Sequence, residues 1–287
     1  MREALTGIFA VLCLSASVFA ADFDPVVDDP VIDDANPPSL VELQIPSGGD
    51  MMNGHLYVAN GAGPHPTAIF LHGFPGNEKN LDLAQVLRRA GYNSLFFHYR
   101  GAWGSGGTYG INSFLEDTGA TIAFLQAKAS EGEYRIDASR ISLVGHSFGG
   151  FNTLVTRLEN PAVRCSVALA PANLFPRLQQ MDVSQLPTNP ILPLGGYTYA
   201  DLVRQGLAEA DRYDYVSRMR DEAAGPMLLV SGLRDRAVTM ETQTPIAAAA
   251  GNVPAFEHVI MDADHSFSGN RINLSRILLN WMNANCR

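Results

Sequence analysis

The 287-residue chain is 46% hydrophobic and 17% charged, enough apolar content to bury a large core, which excludes disorder throughout. Its formal net charge is −9, of which −6 falls within residues 1–38, so the rest of the chain is close to neutral. No concentration of Lys and Arg marks a phosphate-backbone binder, and nucleic acid is excluded as a partner on electrostatic grounds.

Residues 5–19 form an apolar run behind Arg2, short for a bilayer span and followed by Val18-Phe19-Ala20. This pattern predicts a signal peptide over residues 1–20, cleaved before Ala21, with an uncleaved anchor as the alternative. Export would make the protein secreted or periplasmic, without a stable membrane span, and would leave Cys165 and Cys286 where disulfides persist. At this level a bridge and two isolated thiols are both open. Residues 21–38 alternate Asp and Pro, as in Asp28-Asp29-Pro30 and Asn36-Pro37-Pro38, and predict an extended acidic linker. One domain follows over residues 39–287.

Within that domain, residues 40–45 and 54–60 read as an opening hairpin, and 67–71 as a strand buried on both faces. Residues 80–90 place Leu83, Val86, Leu87 and Ala90 on one helical face, closed by Gly91. A strand over 92–99 comes next. Ser113 and Glu116 have capping-box spacing ahead of an apolar helix running through Ile122, Phe124 and Leu125. Apolar runs recur at 141–144, 167–170, 227–230 and 256–261, separated by helical patterns or longer insertions. The last helix, 272–285, buries Leu274, Ile277, Leu278 and Trp281 by its spacing. Strand–helix alternation predicts an α/β fold with a mostly parallel sheet and helices on both faces, its chemistry lying just beyond the carboxyl ends of the strands.

Directly after the run 141–144 stands Gly145-His146-Ser147-Phe148-Gly149-Gly150, a G-x-S-x-G between strand and helix. The glycines permit a sharp turn that lifts Ser147 above the sheet as a nucleophile; a plain Gly-rich turn is the alternative. A serine hydroxyl needs a base. His265, in Asp262-Ala263-Asp264-His265-Ser266-Phe267 after the last strand, is the candidate. The acid that orients it is assigned to Asp235, after the preceding strand, with Asp262 and Asp264 as competitors. The main-chain amides of Phe148 and Phe74 are the expected oxyanion donors; Pro75 has no N–H to offer. His72 is expected to order that loop and not to act as a second base. His146, Trp103 and Arg100 are candidates for the substrate pocket, although an ion pair ordering its loop is the other role open to Arg100.

The set His72-Gly73-Phe74-Pro75-Gly76, Tyr99-Arg100-Gly101, Gly104-Ser105-Gly106, Gly145-His146-Ser147-Phe148-Gly149, Gly232 with Asp235, and Asp264-His265-Ser266-Phe267 resembles the α/β-hydrolase superfamily. Within it the chain is similar to single-domain esterases near dienelactone hydrolases and to the catalytic domains of prolyl oligopeptidases. The resemblance implies an eight-stranded sheet with an antiparallel first hairpin, and hydrolysis through an acyl-enzyme without metal or cofactor. It further implies a small cap inserted at about 172–225, of which about 172–200 would shape the pocket; a surface excursion without substrate contact is the alternative. Residues 200–219 of that insertion read as a polar helical stretch. In such a fold Cys165 lies at the floor of the sheet and the final helix descends to Cys286, which favours a bridge. Two departures weigh against peptidase activity: the acidic lead-in is too short to be a propeller, and Phe74 stands where prolyl oligopeptidases present a tyrosine hydroxyl. The expected activity is therefore hydrolysis of a small-molecule ester. A small peptidase or amidase and a non-catalytic binding protein on a hydrolase scaffold are the competing readings.

Overall fold

A computed structural model describes residues 23–173, 178, 180–221 and 225–287, so the predicted signal peptide lies outside the described residues. Strands β1 (Ser39–Ser47) and β2 (Asp50–Val58) pair antiparallel around Gly48 and Gly49. After them come β3 (His65–Leu71), α1 (Leu81–Arg89), β4 (Asn93–Phe97), α2 (Ile111–Ser130), β5 (Ile136–His146), α3 (Phe148–Glu159) and β6 (Val163–Leu169). Three helices of the insertion, α4 (Tyr199–Ala208), α5 (Ala210–Tyr213) and α6 (Tyr215–Asp221), precede β7 (Met227–Gly232), α7 (Met240–Ala249), β8 (Glu257–Met261) and α8 (Arg271–Asn285).

The eight strands form one sheet in the order β1-β2-β4-β3-β5-β6-β7-β8, with β2 antiparallel to both its neighbours and all remaining pairs parallel. Side-chain alternation divides the core into two layers. Phe70, Val144, Val167 and Leu228 face one way, onto Leu83 and Leu87 of α1 and Leu274, Leu278, Trp281 and Met282 of α8. Ile69, Leu143, Ala168 and Leu229 face the other, onto Phe114 and Ile122 of α2, Phe151 and Leu154 of α3, and Ile246 of α7. This is the predicted α/β-hydrolase architecture. Cys165 and Cys286 are disulfide-bonded, with Cα atoms 5.6 Å apart, joining β6 to the last turn of the final helix; Cys165 lies within β6, one step further into the sheet than expected.

Three local expectations differ from the structure. Ser113 and Glu116 do not cap α2, which starts two residues earlier: Ser113 Oγ donates to the Gly110 carbonyl, and Glu116 is drawn off to pair with Arg100 at 2.6 Å. The polar stretch after 199 is three short helices, because Glu209 and Asp214 leave helical geometry. The acidic lead-in does not hang free over residues 23–38. Asp33 N donates to Asn60 Oδ1 at 2.9 Å, Arg89 Nε donates to the Pro25 carbonyl at 2.7 Å, and Arg276 meets Asp24 at 2.7 Å, holding the Asp24 carboxyl below its usual pKa. Basic side chains of the body thus dock the segment that Pro and Asp composition marks as a spacer.

Candidate active site

The turn from β5 to α3 carries Ser147 at φ 57°, ψ −118°, a left-handed conformation that a non-glycine residue holds only under constraint from its surroundings. The constraint is visible. Ser147 N donates to Leu169 O at 2.9 Å, while its carbonyl accepts from Phe151 N and from Ala172 N. The neighbouring glycines are required sterically: a Cβ at Gly145 would strike Gly149 O and Thr153 Oγ1, one at Gly149 would strike the main chain of Leu71 and His72, and one at Gly150 would come within 2.8 Å of Pro171 Cα.

The loop after β3 lies against the nucleophile. A Cβ at Gly73 would sit 3.0 Å from Ser147 Cβ and 3.4 Å from its Oγ, so any larger residue would crowd the nucleophile where this loop approaches. His72 Nδ1 donates to the Gly73 carbonyl at 2.9 Å, and burial pushes its pKa down to about 4, so the ring is a neutral loop-ordering donor. Trp103 Nε1 donates to Pro75 O at 2.8 Å and clamps the same loop from outside. The first amides of a helix have no acceptor in the preceding turn, which leaves Phe148 N–H at the head of α3 available beside Ser147. Phe74 lies on the facing loop, its ring edge-on to Phe148 with centroids 6.0 Å apart.

Two loops beyond β7 and β8 bring in the remaining pair. His265 Nδ1 donates to Asp235 Oδ2 at 2.7 Å. The Asp235 carboxylate is fully buried, and its second oxygen accepts from Ala237 N and Val238 N, both at 2.8 Å, so its orientation is fixed. The loops are stitched together by Leu233 N to Met261 O and Arg234 N to Ala263 O, each 2.9 Å. Gly232 permits that crossing, since a Cβ there would stand 2.6 Å from Ala263 O. The competing acids are engaged elsewhere: Asp262 pairs with Arg234 on the surface, and Asp264 accepts from Ser268 N. Ser147 and His265 meet on the wall of one cavity of about 180 Å³, together with Gly73, Phe74, Pro75, Gly76, His146 and Ser266. Asn77 and Glu78 complete that wall. Neither was singled out in the sequence, although both directly follow the His72–Gly76 stretch.

Of the three pocket candidates only His146 reaches this cavity. Arg100 is turned away: its Nε meets Asp117 at 2.5 Å, its Nη2 meets Glu116, and Ser47 Oγ completes the shell of buried Asp117. A guanidinium so engaged orders the loop, and it does not line the cavity. Trp103 supports the wall from behind without lining it. Among the described residues no group of His, Cys, Asp and Glu side chains is arranged to hold a metal ion, and no helix is long and apolar enough to cross a membrane.

A family model described as the prolyl oligopeptidase family matches residues 81–287. An uncharacterized protein named YfhR from Salmonella typhimurium is 27% identical over 217 residues, covering 73% of this chain and 68% of its own length. Among solved structures, Est1E from Butyrivibrio proteoclasticus superposes with a TM-score of 0.67 at 17% identity, covering 85% of this chain and 98% of that one, and it has also been solved with ferulic acid bound. The Pyrococcus furiosus esterase Pf2001 gives a TM-score of 0.64 at 19% identity, covering 91% of this chain and 100% of that one. At such identities these two are likenesses of fold.

Proposed function

Because the chain belongs to the prolyl oligopeptidase family, and is with it a serine hydrolase, we propose that it cleaves carboxylic esters through an acyl-enzyme built on Ser147. The observation that carries this reading is the Asp235–His265 bond, 2.7 Å long, at the edge of the cavity that Ser147 also lines. His265 accepts the Ser147 proton as Oγ attacks the ester carbonyl, and the amides of Phe74 and Phe148 receive the oxyanion. His265 then returns the proton to the departing alcohol. A water, deprotonated in turn by His265, releases the acid and restores Ser147. Asp235 keeps the proton on Nδ1, which leaves Nε2 bare for these transfers.

The cavity is small, and Phe74 contributes an aromatic wall, which suits esters of short or compact acids. Est1E has been solved with ferulic acid, so esters of small aromatic acids are the first to try beside acetate and butyrate. The family itself favours a second reading, hydrolysis of a small peptide or amide with the same residues. Side-by-side turnover of p-nitrophenyl esters and aminoacyl anilides separates the two, and turnover of anilides alone would replace the ester reading. Ser147→Ala should lose about a million-fold in kcat and all fluorophosphonate labelling while keeping its fold by circular dichroism. Labelling that persisted in this variant would remove Ser147 from the role. A protein that neither labels nor turns over either class would be a binding protein on this scaffold. Export is proposed on the signal-like residues 1–20 and is supported by the Cys165–Cys286 bridge, which persists in oxidising compartments. Cell fractionation tests it.

A further inference from the structure

We infer that His146 is a positioning residue for the general base, acting through the main chain of His265. The inference rests on the reading of His265 as base. Asp235 fixes the His265 ring from its Nδ1 side, but a ring pivots on its own backbone. That backbone lies in a surface loop whose Asp264 and Ser268 are exposed. His146 Nε2 donates to the carbonyl of His265 at 2.7 Å. A carbonyl can only accept, so Nε2 carries the proton and the tautomer is set. The two rings also touch, with centroids 4.7 Å apart and planes tilted by 45°.

His146 is 4% exposed and sits one residue before the nucleophile on the constrained turn. One side chain therefore ties the height of the base to the position of the hydroxyl it must reach. Its neutrality matters as much. Burial, reinforced by the nearby His265, pushes the His146 pKa down to about 4. When His265 becomes imidazolium during the reaction, the ring against it adds no second positive charge. A cation at 146 would oppose that step, whereas a neutral donor holds the carbonyl without opposing it.

The test is a substitution series read on kcat, KM and pH profile with a p-nitrophenyl ester and the full chain. In His146→Leu, which keeps bulk but removes the donor, kcat should fall at least tenfold with KM changing less than threefold. The rate of fluorophosphonate labelling should fall in parallel. His146→Gln, whose amide reaches about as far, should recover most of the loss, and His146→Asn, too short, should not. The acid limb of kcat/KM should shift in Leu and Asn but stay in place in Gln. Equal losses in Leu and Gln that track thermal stability, with no movement of the acid limb, would reduce His146 to packing and overturn the inference. Should Leu fail to fold, the Gln–Asn comparison still decides. Failure of the underlying reading shows separately, as ester turnover that survives His265→Ala.

Discussion

The pairing of Asp235 with His265 makes a specific demand at the level of single atoms. Asp235→Asn would present an amide where a carboxylate now accepts three hydrogen bonds, two of them from Ala237 and Val238 amides. With Oδ1 still held by those amides, the NH2 group faces His265 Nδ1 and forces the other tautomer, placing the proton on Nε2 where it blocks Ser147. The expected loss in kcat is about ten-thousand-fold with little change in KM; measured rates within tenfold of wild type would return the role to Asp262 or Asp264. The residues that bear the proposed chemistry were legible in the sequence because each follows a strand, and the fold sends such positions to one edge of the sheet. The roles of Arg100 and Trp103 were less so. Both lie on a top-side loop, but whether a side chain on such a loop turns inward or back is decided by partners distant in sequence, here Asp117 and Pro75. Spacing carries no record of those partners. The bond from His146 to the carbonyl of His265 escaped for the same reason, since its acceptor lies 119 residues away on the main chain.

At the scale of elements, the strands were the readable part, because burial on both faces leaves continuous apolar runs in β3 to β7 that no amphipathic helix shows. Helix starts were harder. A Ser-x-x-Glu pattern is informative only while its glutamate is free, and Glu116 is claimed by Arg100. The insertion resisted for a related reason: polar residues with helical spacing do not reveal where the chain turns between α4, α5 and α6. The link between β6 and α8 gives a prediction at this scale. Cys165 and Cys286 close a loop of 121 residues in sequence separation, and replacing both by alanine should cost about 2–5 kcal/mol in urea-unfolding free energy, mainly by freeing the unfolded chain. Because the bridge lies at the floor of the sheet, ester turnover at low temperature should remain near wild type. A double variant as stable as the parent would show that the packing of α8 suffices alone.

Across the whole molecule, six histidines share an electrostatic condition. His55, His65, His72, His98, His146 and His258 are all held below the usual imidazole range, chiefly by burial, with His72 and His146 at about 4 and His98 at about 3. His55, His72 and His98 surround Phe96, and each has a ring nitrogen that is buried without a partner. A neutral ring tolerates this; a protonated one does not. Since the folded pKa lies below the unfolded value near 6.5, their contribution to stability is complete above that value and is lost as the pH falls toward 4 and 3. Thermal midpoints should therefore drop steeply between about pH 6 and 4. Replacing His98 by Asn or Gln should flatten that fall; an unchanged slope would shift the cause to carboxylates such as Asp24 and Asp82, which are also held below their usual range by arginine partners.

The insertion that follows β6 is tied back beside the turn it leaves. Ala172 N donates to the Ser147 carbonyl at 2.9 Å, and Tyr215 OH donates to the Ala172 carbonyl at 3.1 Å, so the first residues of the excursion and the start of its last helix, α6, stand together beside the nucleophile. A change in length or character of the residues between those two points would leave both bonds standing, and should therefore spare the turn that carries Ser147.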